Sequence, residues 1–230
     1  MSDKLPAVHM VVKNEDRFIW YCLSSILPFV DSISIIDTGS TDKTADIISS
    51  FSSKKIHFSS IPIHDPAELS KVRQYQLEQT AADWIWIVDG DEVYPKLLGD
   101  EISDIIQRRG TDLEGILIGR YDLMGDIYHY QDESVGTYNN FGRKGHFALR
   151  LLNKKIIKGL HIQGIYPYEG YYDGNNNEVL NREKQKYYFT NGRLYHAMYL
   201  QRSTLGTNLF DTFHRMKGKI ELGKKFPQAQ

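Results

Sequence analysis

With 230 residues, 41% of them hydrophobic, the chain is long enough to bury a substantial core and reads as one extended domain with two halves, residues 1–121 and 122–230. Its 28 Lys and Arg against 29 Asp and Glu leave a net charge of -1, which excludes the global basic field of a nonspecific nucleic-acid binder, so nucleic acid is not expected as a partner. The single cysteine, Cys22, allows no internal disulfide and sits among Trp20, Tyr21, Leu23 and Ile26 as a small hydrophobe, which fits a reducing compartment.

Met1 to Val12 has neither the charged start nor the long apolar region of a signal peptide, and no apolar run approaches membrane-spanning length. A soluble, cytoplasmic protein is expected. Ala7 to Lys13 reads as a strand, and Asp16 to Leu27 as an amphipathic helix that Pro28 closes. Ser32 to Ile36 is the next strand; it runs into Asp37-Thr38-Gly39-Ser40-Thr41-Asp42, where Gly39 supplies a turn and Thr41 or Ser40 is expected to cap a helix toward Phe51. Lys55 to Ser59 gives a third strand, Ala67 to Ala81 a third helix and Trp84 to Val88 a fourth strand. A helix from Leu97 to Arg108 and a strand from Gly115 to Tyr121 follow. This alternation implies right-handed crossovers and a parallel, doubly wound α/β sheet.

Beyond Asp122 the pattern loosens. Residues 122–195 are rich in Tyr, Gly and Asn, with strand-like pieces at His146 to Leu152 and Tyr187 to Phe189, so the second half is expected to combine mixed sheet with long, substrate-recognising loops. Asn175-Asn176-Asn177 reads as an exposed loop. Phe213 to Phe226 carries His214, Arg215, Lys217, Lys219, Lys224 and Lys225 against Glu221 alone. A basic helix with Phe213, Met216, Ile220 and Leu222 on its apolar side is expected there; a solvated basic face packed on the domain is the favoured reading, and peripheral contact with an anionic membrane surface is the alternative.

The chemistry is located by Trp84-Ile85-Trp86-Ile87-Val88-Asp89-Gly90-Asp91-Glu92, an apolar run that meets three carboxylates in four residues. Ligands of parallel sheets bind beyond the strands' carboxyl ends, where Asp89 and Asp91 would sit with the side-chain-free Gly90 between them. Two hard oxygen ligands so placed suit Mg2+ or Mn2+ carrying phosphate oxygens; an ordinary polar turn explains the same letters. No Gly-x-Gly-x-x-Gly follows the first strand and no Gly-x-x-x-x-Gly-Lys-Ser/Thr occurs, which disfavours simple dehydrogenases and P-loop enzymes. Asp173, Asn175 and Asn177 imitate a calcium loop, but Glu178 stands where that loop needs Gly and Lys184 where it needs Glu.

Other candidates have two readings each. Asp37 ends a strand as Asp89 does and could accept a hydrogen bond from a base or ribose, or merely form an Asx-turn with Gly39. Arg73 could neutralise a diphosphate, or pair at the surface with Glu78 or Asp83. His196, in the apolar Leu194-Tyr195-His196-Ala197-Met198-Tyr199, is a core histidine or a further ligand for Mn2+. Glu169, among Tyr166, Tyr168, Tyr171 and Tyr172, is a general base or a loop carboxylate.

Taken together, Val12-Lys13-Asn14-Glu15, Ile36-Asp37-Thr38-Gly39-Ser40-Thr41-Asp42-Lys43-Thr44, Arg73 and Trp84 to Glu92 resemble family 2 glycosyltransferases with the GT-A fold. The resemblance covers about the first half of the chain. It implies that Lys13, Glu15, Asp37, Asp89 and Gly90 help hold a nucleotide sugar, that Arg73 approaches the diphosphate, and that Asp91 is the direct metal ligand. Tyr195-His196 followed by Arg202-Ser203 is similar to the segment through which relatives return a histidine to the metal. In the second half, relatives acting on bacterial surface glycans often carry His-Glu after a segment like Arg150-Leu151-Leu152, whereas here Ile162 follows His161. The general base is therefore assigned to Glu169 on chemical grounds, with Asp173 and His161 as runners-up.

The implied reaction is inverting transfer of a sugar from a nucleoside diphosphate, UDP first, to a glycan, lipid-linked or peptide acceptor. Two rivals are a sugar-nucleotide nucleotidyltransferase, whose Gly-rich basic signature Lys13-Asn14-Glu15 lacks, and a non-catalytic glycan-binding protein, which the presence of both Asp89 and Asp91 weakens.

Overall fold

The computed structural model describes residues 5–200 and 223–226; Arg202, Ser203 and residues 213–222 of the basic segment lie outside the described residues. The first half is built as β1 (Ala7–Val12), α1 (Ile19–Ile26), β2 (Ser32–Asp37), α2 (Thr44–Ser49), β3 (Ile56–Ser60), α3 (Leu69–Gln79) and β4 (Trp84–Ile87). Then come β5 (Glu92–Val93), α4 (Lys96–Arg109), β6 (Gly115–Met124), β7 (His129–Gln131), β8 (Tyr138–Asn140), β9 (Arg143–Gly145) and β10 (Phe147–Asn153). The chain closes with β11 (His161–Gln163), β12 (Gly170–Tyr172), β13 (Tyr187–Tyr199) and β14 (Gly223–Lys225).

The strands β3, β2, β1 and β4 lie side by side and parallel, as alternating strands and helices require. On the far side of β4 the sheet turns mixed: β10 is antiparallel to both β4 and β6, while β13 runs parallel to β6 and antiparallel to β5. This is the expected α/β sheet, parallel in its first half and mixed in its second. Among the described residues, no helix is long and apolar enough to cross a membrane.

Period-two alternation sends the side chains of β4 into two cores. Trp84 and Trp86 pack with Ile19, Cys22, Leu23 and Ile26 of α1 and with Leu98, Ile102 and Ile106 of α4. Ile85 and Ile87 face the other way, against Leu77 of α3 and Leu152 of β10. Both faces are therefore covered, and burying each isoleucine contributes about 2 kcal/mol. The spacing of Ile19, Cys22, Leu23 and Ile26 marks the single apolar stripe of α1, and a 3-10 turn containing Pro28 ends it as the sequence predicts.

Two sequence expectations are corrected. Neither Ser40 nor Thr41 caps α2; the Thr44 amide donates to Asp42 Oδ1 at 2.9 Å, while the Ser40 hydroxyl oxygen is taken by the Asn14 amide at 2.8 Å and its hydrogen by Asp37 Oδ1 at 2.7 Å. The strand expected at Tyr187 to Phe189 runs on to Tyr199. It survives Asn191 and Gly192 through a shift of register between Phe189 and Arg193, where Glu101 of α4 accepts the amides of Asn191 and Gly192 at 2.8 and 2.9 Å. That continuation carries His196 into the site.

One buried side chain makes stability depend on pH. His9 of β1 is 5% exposed, with Nε2 2.5 Å from Thr80 Oγ1. That hydroxyl donates to the Gln76 carbonyl at 2.8 Å, so the imidazole is the donor. Burial, then the charges of Lys154 and Arg73, pull its pKa down to about 4. An unfolded histidine titrates near ~6.5, so between those values the unfolded chain holds a proton that the native chain does not, and stability present at pH 7 is lost as pH falls. By pH 5 the loss from this group reaches about 2 kcal/mol. The urea midpoint is expected to fall between pH 7 and pH 5 more steeply in the wild type than in His9→Asn; equal slopes would remove His9 as the cause.

Candidate active site

The carboxyl ends of β1, β2 and β4 lie together, and their loops are sewn to one another by side-chain to backbone bonds. Asn14, in the left-handed region at φ 57°, accepts the Thr41 amide at 2.7 Å, and its own amide donates to Ser40 Oγ at 2.8 Å. The Glu15 amide donates to Thr44 Oγ1 at 2.7 Å. Asp37 is buried and accepts from the Gly39 and Ser40 amides at 3.2 and 2.9 Å, so the Asx-turn is formed at the end of β2. Lys13 is exposed at the end of β1.

Gly90 fits a tight contact. A Cβ there would lie 3.1 Å from Glu15 Cγ and 3.2 Å from Val12 Cγ1, so a bare backbone lets the Asp89 to Asp91 turn rest against the β1–α1 loop. Glu15 thus covers that turn, as close neighbours of one crevice would.

The carboxylates on either side of Gly90 have different surroundings. Asp89 is half-buried, with Oδ2 2.7 Å from Arg150 Nη2 of β10; the same nitrogen contacts Glu92 Oε1. Glu92 is fully buried, and its Oε2 accepts from Tyr94 Oη at 2.8 Å and from the Asp89 amide at 3.2 Å. Burial alone would raise the pKa of Asp89, but the charges of Arg150, Arg73 and His196 hold it well below the usual carboxylate range. Asp89 stays ionised at neutral pH.

Asp91 is buried beside His196, with Oδ2 3.3 Å from His196 Nε2. Sheet register produces this meeting: His196 lies opposite Glu92 across β5 and β13 and opposite Asp122 across β6 and β13, while the Ala197 amide donates to the Asp91 carbonyl at 2.9 Å. The other ring nitrogen, Nδ1, is 2.9 Å from Asp122 Oδ1. Asp122 is itself 3.0 Å from Arg120 Nε, and although burial raises its pKa, the His196 hydrogen bond and the Arg120 charge bring it below the ordinary value.

Ligand atoms of Asp89, Glu92 and His196 lie within 4.8 Å of one another, and Asp91 adjoins His196. Carboxylate oxygens with one imidazole nitrogen form a donor set that fits a divalent cation of the Mn2+ or Mg2+ kind. Both oxygens of Glu92 are engaged by Arg150, Tyr94 and the Asp89 amide, which makes Glu92 part of the wall; Asp89, Asp91 and His196 are the better donors.

Arg73 of α3 and Glu169, just before β12, face each other at 3.6 Å from Nε to Oε1. The expected surface partners of Arg73 are taken elsewhere: Glu78 accepts from Gln74, and Asp83 pairs with Lys155. Tyr166 and Tyr168 beside Glu169 are exposed, Tyr168 to 88%. The runners-up have other duties. Asp173 accepts from the Asn175 and Asn177 amides and pairs with Arg182, while His161 meets the Gly159 carbonyl and Gln163. The exposed Asn175 to Asn177 loop is as expected.

Sequence reasoning assigned no role to Arg150, Glu92 or Asp122. An arginine inside the apolar strand Phe147–Asn153 was the available signal for the first, since a buried cation needs buried carboxylates.

Residues 7–164 match the family model described as Glycosyl transferase family 2. Among curated proteins, the chain is 27% identical over 171 residues to the lipopolysaccharide core biosynthesis glycosyltransferase LpsC of Rhizobium meliloti (strain 1021), covering 71% of this chain and 60% of that one. It is 31% identical over 90 residues to the SPbeta prophage-derived glycosyltransferase SunS of Bacillus subtilis (strain 168), covering 38% of this chain and 20% of the other. The chain thus spans 60% or less of the length of these relatives. Among solved structures, S. aureus TarS 1-349 in complex with UDP-GlcNAc is similar at a TM-score of 0.48 and 16% identity, over 65% of this chain and 45% of that one.

Proposed function

Because the chain belongs to glycosyl transferase family 2, we propose that it moves a sugar, with inversion, from a nucleoside diphosphate to an acceptor nucleophile in the presence of a divalent cation. The observation that carries this reading is the meeting of Asp91 with His196 at 3.3 Å, at the strand ends where Asp37, Glu15 and Gly90 also gather. UDP is the proposed nucleotide. Asp37, Lys13, Glu15, Asp89 and Gly90 would line its seat, and Arg73 would face the diphosphate. A cation held by Asp91 and His196 beside Asp89 would offset charge on the departing diphosphate.

In the transfer, the acceptor oxygen attacks the anomeric carbon as the bond from that carbon to the diphosphate oxygen breaks. Glu169 takes the acceptor's proton on the face of the sugar opposite the departing diphosphate, so Arg73, 3.6 Å from Glu169 in the unliganded chain, has to turn away from it to stabilise the leaving group. The acceptor is proposed to be a glycan, a lipid-linked glycan or a peptide; the lipopolysaccharide core role in the name of one relative favours the first. The cytoplasm, with or without peripheral membrane contact, is the proposed location.

A thermal shift measurement tests the seat. UDP with Mn2+ is expected to raise the melting temperature, since a ligand of the native state must stabilise it, and UDP in chelator is expected to raise it much less. An equal shift in chelator would contradict cation-dependent binding of the diphosphate.

A further inference from the structure

His196 can present only one of its two nitrogens to a cation, and the fold has to choose which. Nδ1 lies 2.9 Å from Asp122 Oδ1, whose residue is 1% exposed, and this leaves Nε2 directed at Asp91. The choice is built into the sheet rather than into a loop, because β6 and β13 run in parallel with Asp122 opposite His196 and Tyr121 opposite Tyr195. The carboxylate is also fixed from behind. Arg120 Nε is 3.0 Å from Oδ1.

We propose that Asp122 is a positioning residue that holds the His196 proton on Nδ1 and so directs Nε2 to the cation, in the manner of the carboxylate–histidine pairs behind many metal sites. This rests on the reading of Asp91 and His196 as cation ligands. Asp122 touches neither donor sugar nor acceptor in it. Its contribution is a ring orientation and a tautomer.

The test uses the full chain and Mn2+ alone, with free Mn2+ counted by electron paramagnetic resonance. Asp122→Ala is expected to weaken Mn2+ binding about ten- to a hundredfold, the usual effect of removing such a partner. Asp122→Asn keeps a carbonyl oxygen that can accept from Nδ1 and should recover part of the loss. Wild-type affinity in a folded Asp122→Ala overturns the proposal while leaving the cation site in place. Absence of Mn2+ binding by the wild type, with or without UDP, overturns both. If Asp122→Ala does not fold, nitrogen-15 spectra of wild-type His196 in Mg2+ decide: protonated Nδ1 with bare Nε2 is expected, and the reverse tautomer is fatal to the proposal.

Discussion

Replacing Asp91 with Asn is expected to abolish the Mn2+ dependence of UDP binding and to lower transfer by a factor on the order of a hundred or more, with the fold retained. The substitution is nearly isosteric, and of the contacts that tie this position to β13, the one from the Ala197 amide to the Asp91 carbonyl involves the backbone and is kept. What changes is charge: Asn keeps an oxygen near His196 but offers a cation a far weaker ligand. Calorimetric UDP titrations with and without Mn2+ read the first effect, and turnover reads the second. A variant that fails to fold would show instead that the Asp91 to His196 contact is structural.

The second large effect is expected at Glu169. Glu169→Gln should cut turnover by about a hundredfold or more, equivalent to roughly 2.7 kcal/mol in the transition state, while UDP affinity stays nearly unchanged. The 3.6 Å contact with Arg73 supplies a competing reading in which Glu169 merely restrains that arginine. The two separate cleanly. Both side chains are partly accessible, so the pair itself is worth less than about 1 kcal/mol, and freeing Arg73 would tighten UDP binding without a hundredfold loss of turnover. Normal turnover in Glu169→Gln with a loss in Asp173→Asn or His161→Ala would move the base, although the bonds of Asp173 to Arg182 and of His161 to Gly159 favour neither.

Most of the first half was legible because its signals are local. The apolar run at Trp84, the stripe from Ile19 to Ile26 and the turn after Asp37 each determine an element within a few residues, and parallel pairing then follows from alternation. Asp89, Gly90 and Asp91 could be placed at a strand end for the same reason. The second half depends on long-range register. His196 reaches Asp91 only because β13 continues through an irregular stretch that Glu101 of α4 secures, 90 residues away from Asn191 in sequence. Pairings of Asp122 with His196, of Arg150 with Asp89 and of Arg73 with Glu169 are likewise tertiary. No local pattern encodes them. The failed cap shows the same limit at short range: Ser40 has the right chemistry to cap α2, but Asp37 and Asn14 claim its hydroxyl first.

The most direct test of the central claim is a donor panel incubated with the full chain, Mn2+ and a glycan acceptor, with products separated by chromatography. Release of free nucleoside diphosphate together with a lengthened acceptor is predicted, largest with a UDP-sugar and lost in chelator. Release of pyrophosphate would indicate nucleotidyl transfer, and a panel yielding neither product, from a folded protein that still binds glycan, would contradict the claim that this site transfers sugars.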